Sequence, residues 1–230
     1  MSQNAIENTQ KSLIGAGFLF ALCFLVSRPN LLALYEWLNL PQSNWRFAAQ
    51  MVFICVAFVV LYPLLTKQTL ASIGLRPFNS WNKNERHFLV IGVLVSNGCF
   101  LLLTSKWRRL LAFDDQILVI ALVVVPMLCW GFFQEMVYRG LLQKTLSEKL
   151  GDTQGILISN LVFTFGTVHF HHYQYIAENL WHLKYFAFIF AAGLFFAWIY
   201  KRYNNLWLAG LFHGIGNVYL DSSNVAKALF

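Results

Sequence analysis

"ILVIALVVVPMLCWGFFQEMVYRG", residues 117–140, runs from Ile117 to Phe133 with no charged or amide side chain, then presents Gln134, Glu135 and, four positions on, Arg139. A membrane-spanning helix needs about 20 predominantly apolar residues, within a range of about 17–25. The stretch therefore reads as a span that carries an amide, a carboxylate and a guanidinium at its far end.

The rest of the chain has the same character. Of 230 residues, 58% are hydrophobic and 12% charged, against about 25% charged in soluble domains. Apolar stretches fall at 12–27, 47–65, 87–104, 116–133, 154–170, 184–200 and 205–220. No alternation of the kind a barrel strand requires is present, and an open strand would leave backbone groups unpaired in lipid. The expected fold class is all-α, a polytopic transmembrane bundle of about seven spans enclosing a polar cavity. The expected location is a multi-pass one, in the plasma (inner) membrane.

The formal charge of +7 does not point to nucleic acid, because the basic residues are scattered through short polar gaps rather than gathered in a stripe. Counting Lys and Arg in alternate gaps favours a cytoplasmic N-terminus. The first stretch, "LIGAGFLFALCFLV", lacks a small-residue cleavage site and reads as an uncleaved helix. "LLALYEWL" after Pro29 reads as an interfacial helical turn, and Pro41, Pro77 and "SWNKNER" mark loops. Cys23, Cys55, Cys99 and Cys129 each lie in a different apolar stretch without CxxC spacing, so buried thiols are expected rather than a disulfide framework or zinc site.

Ionisable groups at membrane depth are costly and mark functional positions. Glu135 and Arg139 stand four apart, with the acid N-terminal, on one helical face. His213 and Asn217 are likewise four apart, among Gly210, Gly214 and Gly216, small residues that permit close helix approach. Phe165 and His169 are expected to share a face of the preceding apolar stretch but one. Plainer readings stand beside each. Glu135 and Arg139 suit a structural pair closing a helix end, His169 an interfacial position, and His213 with Asn217 a helix–helix bond. His171, His172 and His182 lie in a polar gap and are expected to be solvated.

"QEMVYRG", "FGTVH" and "HGIGN" closely resemble the three motifs of the CAAX-processing and bacteriocin-processing (CPBP, or Abi) intramembrane proteases, the family of the Ras and a-factor converting enzymes. The family pattern is Glu-Glu-x-x-x-Arg, then Phe-x-x-x-His, then His-x-x-x-Asn or Asp. The likeness covers about residues 116–220, which the resemblance makes a catalytic core. Residues 1–115 are then family-variable membrane helices and loops, and 221–230 a tail. The resemblance implies an endopeptidase acting on membrane-anchored peptide or protein substrates within the lipid bilayer. Glu135 and His169 would activate water, His213 and Asn217 would stabilise the oxyanion, and Gln134, Arg139 and Phe165 would line or support the site. It implies no required cofactor. The alternative is Zn2+ held by Glu135, His169 and His213, although no HExxH motif is present.

One position departs from the pattern. Gln134 stands where the family has its first glutamate; an amide donates and accepts hydrogen bonds but cannot take a proton from water. Three readings follow. Glu135 serves as base in a locally rotated helix, for which Pro126 offers a cause. The chain is a silent relative that binds hydrophobic peptides or acts in a membrane complex. Or Gln134 is a substitution that traps an inactive form. A proton or metal-ion transporter is the remaining class; transporters commonly show two corresponding halves, whereas the polar residues here all lie in the second half.

Overall fold

The computed structural model describes residues 14–23, 44–105 and 107–220. The interfacial turn after Pro29, the Pro41 loop and the tail 221–230 lie outside them. Every regular element among the described residues is helical, as expected where lipid cannot satisfy a backbone amide. In chain order they are α1 (Ile14–Cys23), α2 (Asn44–Thr66), α3 (Lys83–Leu103), α4 (Trp107–Leu111), α5 (Gln116–Leu150), α6 (Asp152–Phe165), α7 (Tyr173–Glu178), α8 (Leu183–Tyr203) and α9 (Leu206–Leu220).

Four of these, α2, α3, α5 and α8, are long and apolar enough to cross a membrane, while α1 and α9 are shorter apolar helices. The all-α bundle is as expected. Helix α6 is also short, stopping after 14 residues at Gly166, whose backbone is extended, which gives about 21 Å against a hydrocarbon thickness of about 30 Å. The outward faces are apolar. Phe53, Val56, Val60 and Leu64 on α2 are exposed, as are Val90, Ile91, Leu94 and Val95 on α3 and Phe188, Phe195 and Trp198 on α8. Such contiguous stripes suit lipid rather than water.

The inward faces build one principal core. Met51, Phe58 and Tyr62 of α2 pack with Trp130, Phe133, Met136 and Tyr138 of α5 and with Phe163 of α6. Helix α5 is widened twice into π geometry, at Ile120–Val124 immediately before Pro126 and at Met136–Gln143 immediately after Glu135. Of the cysteines, Cys23 is buried, Cys55 and Cys129 are partly buried and Cys99 is exposed. The Cys55 and Cys129 thiols are neighbours across α2 and α5. Cys99 departs from the expected burial because it sits on the outward side of α3.

A latch fixes the turn between α8 and α9. Gly74, at φ 86°, stops a short 3-10 turn, and its carbonyl accepts from Leu206 N at 3.1 Å. A side chain there would meet the Asn204 carbonyl oxygen at 2.9 Å. Asn82 and Glu85 form a capping box at the start of α3. The buried Glu85 carboxylate also takes Arg76 and, at 3.0 Å, the Asn205 side-chain amide. Asn204, at φ 45°, ends α8. The start of α9 is thereby tied to the α2–α3 connection.

Candidate active site

The site begins where α5 widens. Gln134, Glu135 and Arg139 are all buried, the last two with 0% exposure. A π segment inserts residues into the helical register and is common at functional positions; here it begins one residue after Glu135 and contains Arg139. Arg139 Nε donates to Glu135 Oε2 at 3.2 Å. Its Nη2 donates to Asn160 Oδ1 at 3.2 Å, and the guanidinium lies 5.1 Å over the Phe163 ring. Asn160 on α6 in turn donates through Nδ2 to the Phe190 carbonyl of α8 at 3.0 Å. The ion pair is thus bonded into three helices, which is what a buried charge pair requires to offset its desolvation.

Helix α9 supplies the other partner. His213 Nδ1 lies 2.7 Å from Glu135 Oε1. A carboxylate only accepts, so Nδ1 carries the proton and Nε2 keeps its lone pair when the imidazole is neutral. The ring is stacked on Phe196 of α8 at 4.8 Å and 12°, and meets Phe163 edge-on at 5.7 Å. Among the described residues Nε2 has no hydrogen-bond partner, and His213 keeps 7% of its surface. Asn217, one turn further along α9, has an Nδ2 donor without an acceptor among the described residues, and Gln134 Oε1 likewise lacks a donor.

His169 reaches the same aromatic ring by another route. Since α6 ends at Phe165, His169 stands on the following 3-10 turn, Thr167–His172, and does not share an α-helical face with Phe165. Its Nδ1 lies 2.8 Å from the Phe163 carbonyl, which fixes Nδ1–H as the donor, and its ring meets Phe163 edge-on at 4.9 Å. Phe163 therefore touches both imidazoles and the guanidinium. Phe165 stands elsewhere: it is 47% exposed and stacks on Phe186 at 5.4 Å. His172 and His182 are not freely solvated, since His172 stacks against His169 at 5.9 Å and both stack on Tyr185.

Three residues that pack into this group were not singled out from the sequence: Phe163, Asn160 and Phe196. Asn160 had a signal, being a polar side chain within the apolar stretch 154–170; the two phenylalanines, among 22, had none. The glycines explain the fit. A Cβ at Gly193 would meet Asn160 Oδ1 at 2.1 Å and Phe163 Cδ1 at 3.0 Å, so that glycine makes room for both.

A metal centre on Glu135, His169 and His213 does not fit this arrangement. Both Glu135 oxygens are engaged, by Arg139 and by His213 Nδ1. Among the described residues no three His, Cys, Asp or Glu side chains are grouped to hold an ion. The arrangement pairs a buried carboxylate with His213 and Arg139, and sets His169 against the same Phe163 ring that His213 and Arg139 meet.

Compared with known protein families, residues 116–219 match the one described as Rce1-like, type II CAAX prenyl endopeptidase Rce1-like. No curated protein and no solved structure matches the chain.

Proposed function

We propose, from the match of residues 116–219 to the Rce1-like family of type II CAAX prenyl endopeptidases, that this integral membrane protein hydrolyses a peptide bond of membrane-anchored substrates at the Glu135, His169, His213 and Asn217 group. The observation that carries the reading is the 2.7 Å contact between Glu135 and His213, 78 residues apart in sequence, with His169 on the same Phe163 ring. Addition of water to an amide carbonyl needs a group to accept the water proton and donors for the developing oxyanion. An imidazole nitrogen with a free lone pair and the unpaired Asn217 Nδ2 are groups of those two kinds. No metal enters this reading. Substrates are peptides held near the bilayer by an anchor, and the plasma (inner) membrane is the proposed location.

A second reading draws on one observation. Gln134 is buried beside Glu135 with an unsatisfied acceptor, and an amide there suits a silent relative that holds a hydrophobic peptide without cutting it. The two are separated by cleavage assays on the purified protein with a library of anchored peptides, comparing wild type, Gln134→Glu and His213→Ala. Turnover by the wild type that His213→Ala abolishes supports the protease. Turnover only in Gln134→Glu identifies a silenced enzyme, and binding without turnover in every form supports the silent relative.

A further inference from the structure

With Gln134 in place of the family's first glutamate, Glu135 is the remaining carboxylate of the motif, and it has 0% exposure with each oxygen already hydrogen-bonded. A base must come within hydrogen-bond reach of the proton it takes. Glu135 is fully buried with its oxygens turned to Arg139 and His213, whereas His213 keeps 7% exposure and its Nε2 is unbonded among the described residues.

We propose that His213 is the water-activating base of this chain and that Glu135 is its positioning residue, held by the Arg139–Asn160 clamp. The proposal rests on the hydrolase reading above and assigns the roles within it. Glu135 accepts the hydrogen bond from Nδ1–H and so leaves the Nε2 lone pair on the opposite side of the ring, away from the carboxylate. Phe196 and Phe163 hold the ring plane by stacking and by an edge contact. A carboxylate bonded to Nδ1 also stabilises the imidazolium that forms when Nε2 takes a proton, the general logic of acid–imidazole pairs in hydrolases. Arg139 pairs with the carboxylate through Nε, and Asn160, bonded to Arg139 at 3.2 Å and to α8 at 3.0 Å, sets where the guanidinium stands.

The step balances with water as the co-reactant. Nε2 takes one proton from water as the water oxygen bonds to the carbonyl carbon, and the carbonyl π pair moves to oxygen. Asn217 Nδ2 donates to that oxyanion. The tetrahedral adduct collapses, the C–N bond breaks, and the Nε2 proton passes to the leaving nitrogen, giving an acid and an amine. Gln134 is compatible with this route because the route requires no carboxylate at position 134.

The test uses the full chain in nanodiscs, with anchored peptides for kinetics and 15N-labelled histidine for spectroscopy. In the wild type the His213 imidazole is expected to show the Nδ1–H tautomer, and in Glu135→Gln its resonances should shift as that tautomer is lost. His213→Gln keeps an amide donor but has no base. It should lower kcat by about 10^3-fold, within the range of general-base loss, with KM changed little. Glu135→Gln should lower kcat by about 10^2- to 10^4-fold. A wild-type His213 in the Nε2–H tautomer overturns the proposal without reference to turnover. Cleavage retained within tenfold in His213→Gln, but abolished in Glu135→Gln, overturns it while leaving the protease reading intact. If no anchored peptide is cut by the wild type, with His213 in the Nδ1–H form, the protease reading fails and the role of base fails with it.

Discussion

Gly131 of α5 and Gly214 of α9 cross so closely that a Cβ on Gly131 would stand 2.5 Å from the Gly214 backbone nitrogen and 3.0 Å from the His213 carbonyl carbon. A Cβ on Gly214 would in turn meet the Leu128 backbone at 2.9 Å. This approach puts His213 within hydrogen-bond distance of Glu135, because no helix pair separated by ordinary side chains comes so near. Gly131→Ala should therefore force α5 and α9 apart, costing about 1–3 kcal/mol of overpacking. It should also remove most site activity by breaking the Glu135–His213 contact. Gly98→Ala, with nothing within 4 Å of the added carbon, should leave both unchanged. Thermal unfolding in detergent and anchored-peptide turnover read the two effects.

Asn160 and Gly193 form a second tight pair, and they make a prediction about the clamp. Asn160→Leu leaves the Arg139 Nη2 donor without its 3.2 Å acceptor, and a buried donor so abandoned costs about 1–3 kcal/mol. Gly193→Ala drives a methyl group into the same Asn160 oxygen and should cost about 1–3 kcal/mol. Because both substitutions spoil one contact, their effects on unfolding should be less than additive. Additivity in the double variant would show that Gly193 and Asn160 act independently.

The Glu85 latch lies at the other end of the helices, away from the chemistry. Glu85 is buried and bonded to Arg76, to Asn205 Nδ2 and to the Asn82 backbone. Glu85→Ala leaves Arg76 and Asn205 without that acceptor, and breaking a buried pair costs about 3–5 kcal/mol. The low end is expected here, since Arg76 is partly exposed. The visible result should be a lower unfolding temperature and faster proteolysis between residues 70 and 82. Glu85→Gln, which keeps one acceptor, should fall between.

Removal of metal gives a fourth expectation. With both Glu135 oxygens occupied and no three-ligand group among the described residues, prolonged dialysis against a chelator should leave peptide cleavage within about twofold of the untreated protein. Loss of cleavage restored by Zn2+ would place a metal in the reaction and displace the metal-free reading.

The helical fold was legible in the sequence because lipid leaves the backbone few choices: an apolar stretch that must satisfy its own amides forms a helix. That Glu135 and His213 would be paired was legible for a related reason, since an ionisable side chain at that depth is too costly to stand there alone. How many stretches make full-length spans was not legible. That depended on where each helix ended, as at Gly166 for α6, and composition places such ends only to within a turn or so.

The partners inside the site were decided only by tertiary structure. Phe163 and Phe165 are the same residue type two positions apart, so on a helix they point about 200° from one another. Which one faced the imidazoles depended on how α6 packed against α5 and α8. Whether Glu135 would be an open base or a closed partner of His213 depended on the Gly131–Gly214 crossing, which joins residues far apart in the chain. Sequence spacing fixes neighbours along one helix; contacts between helices are set by the small residues that let them approach, and those contacts decided that Glu135 meets His213.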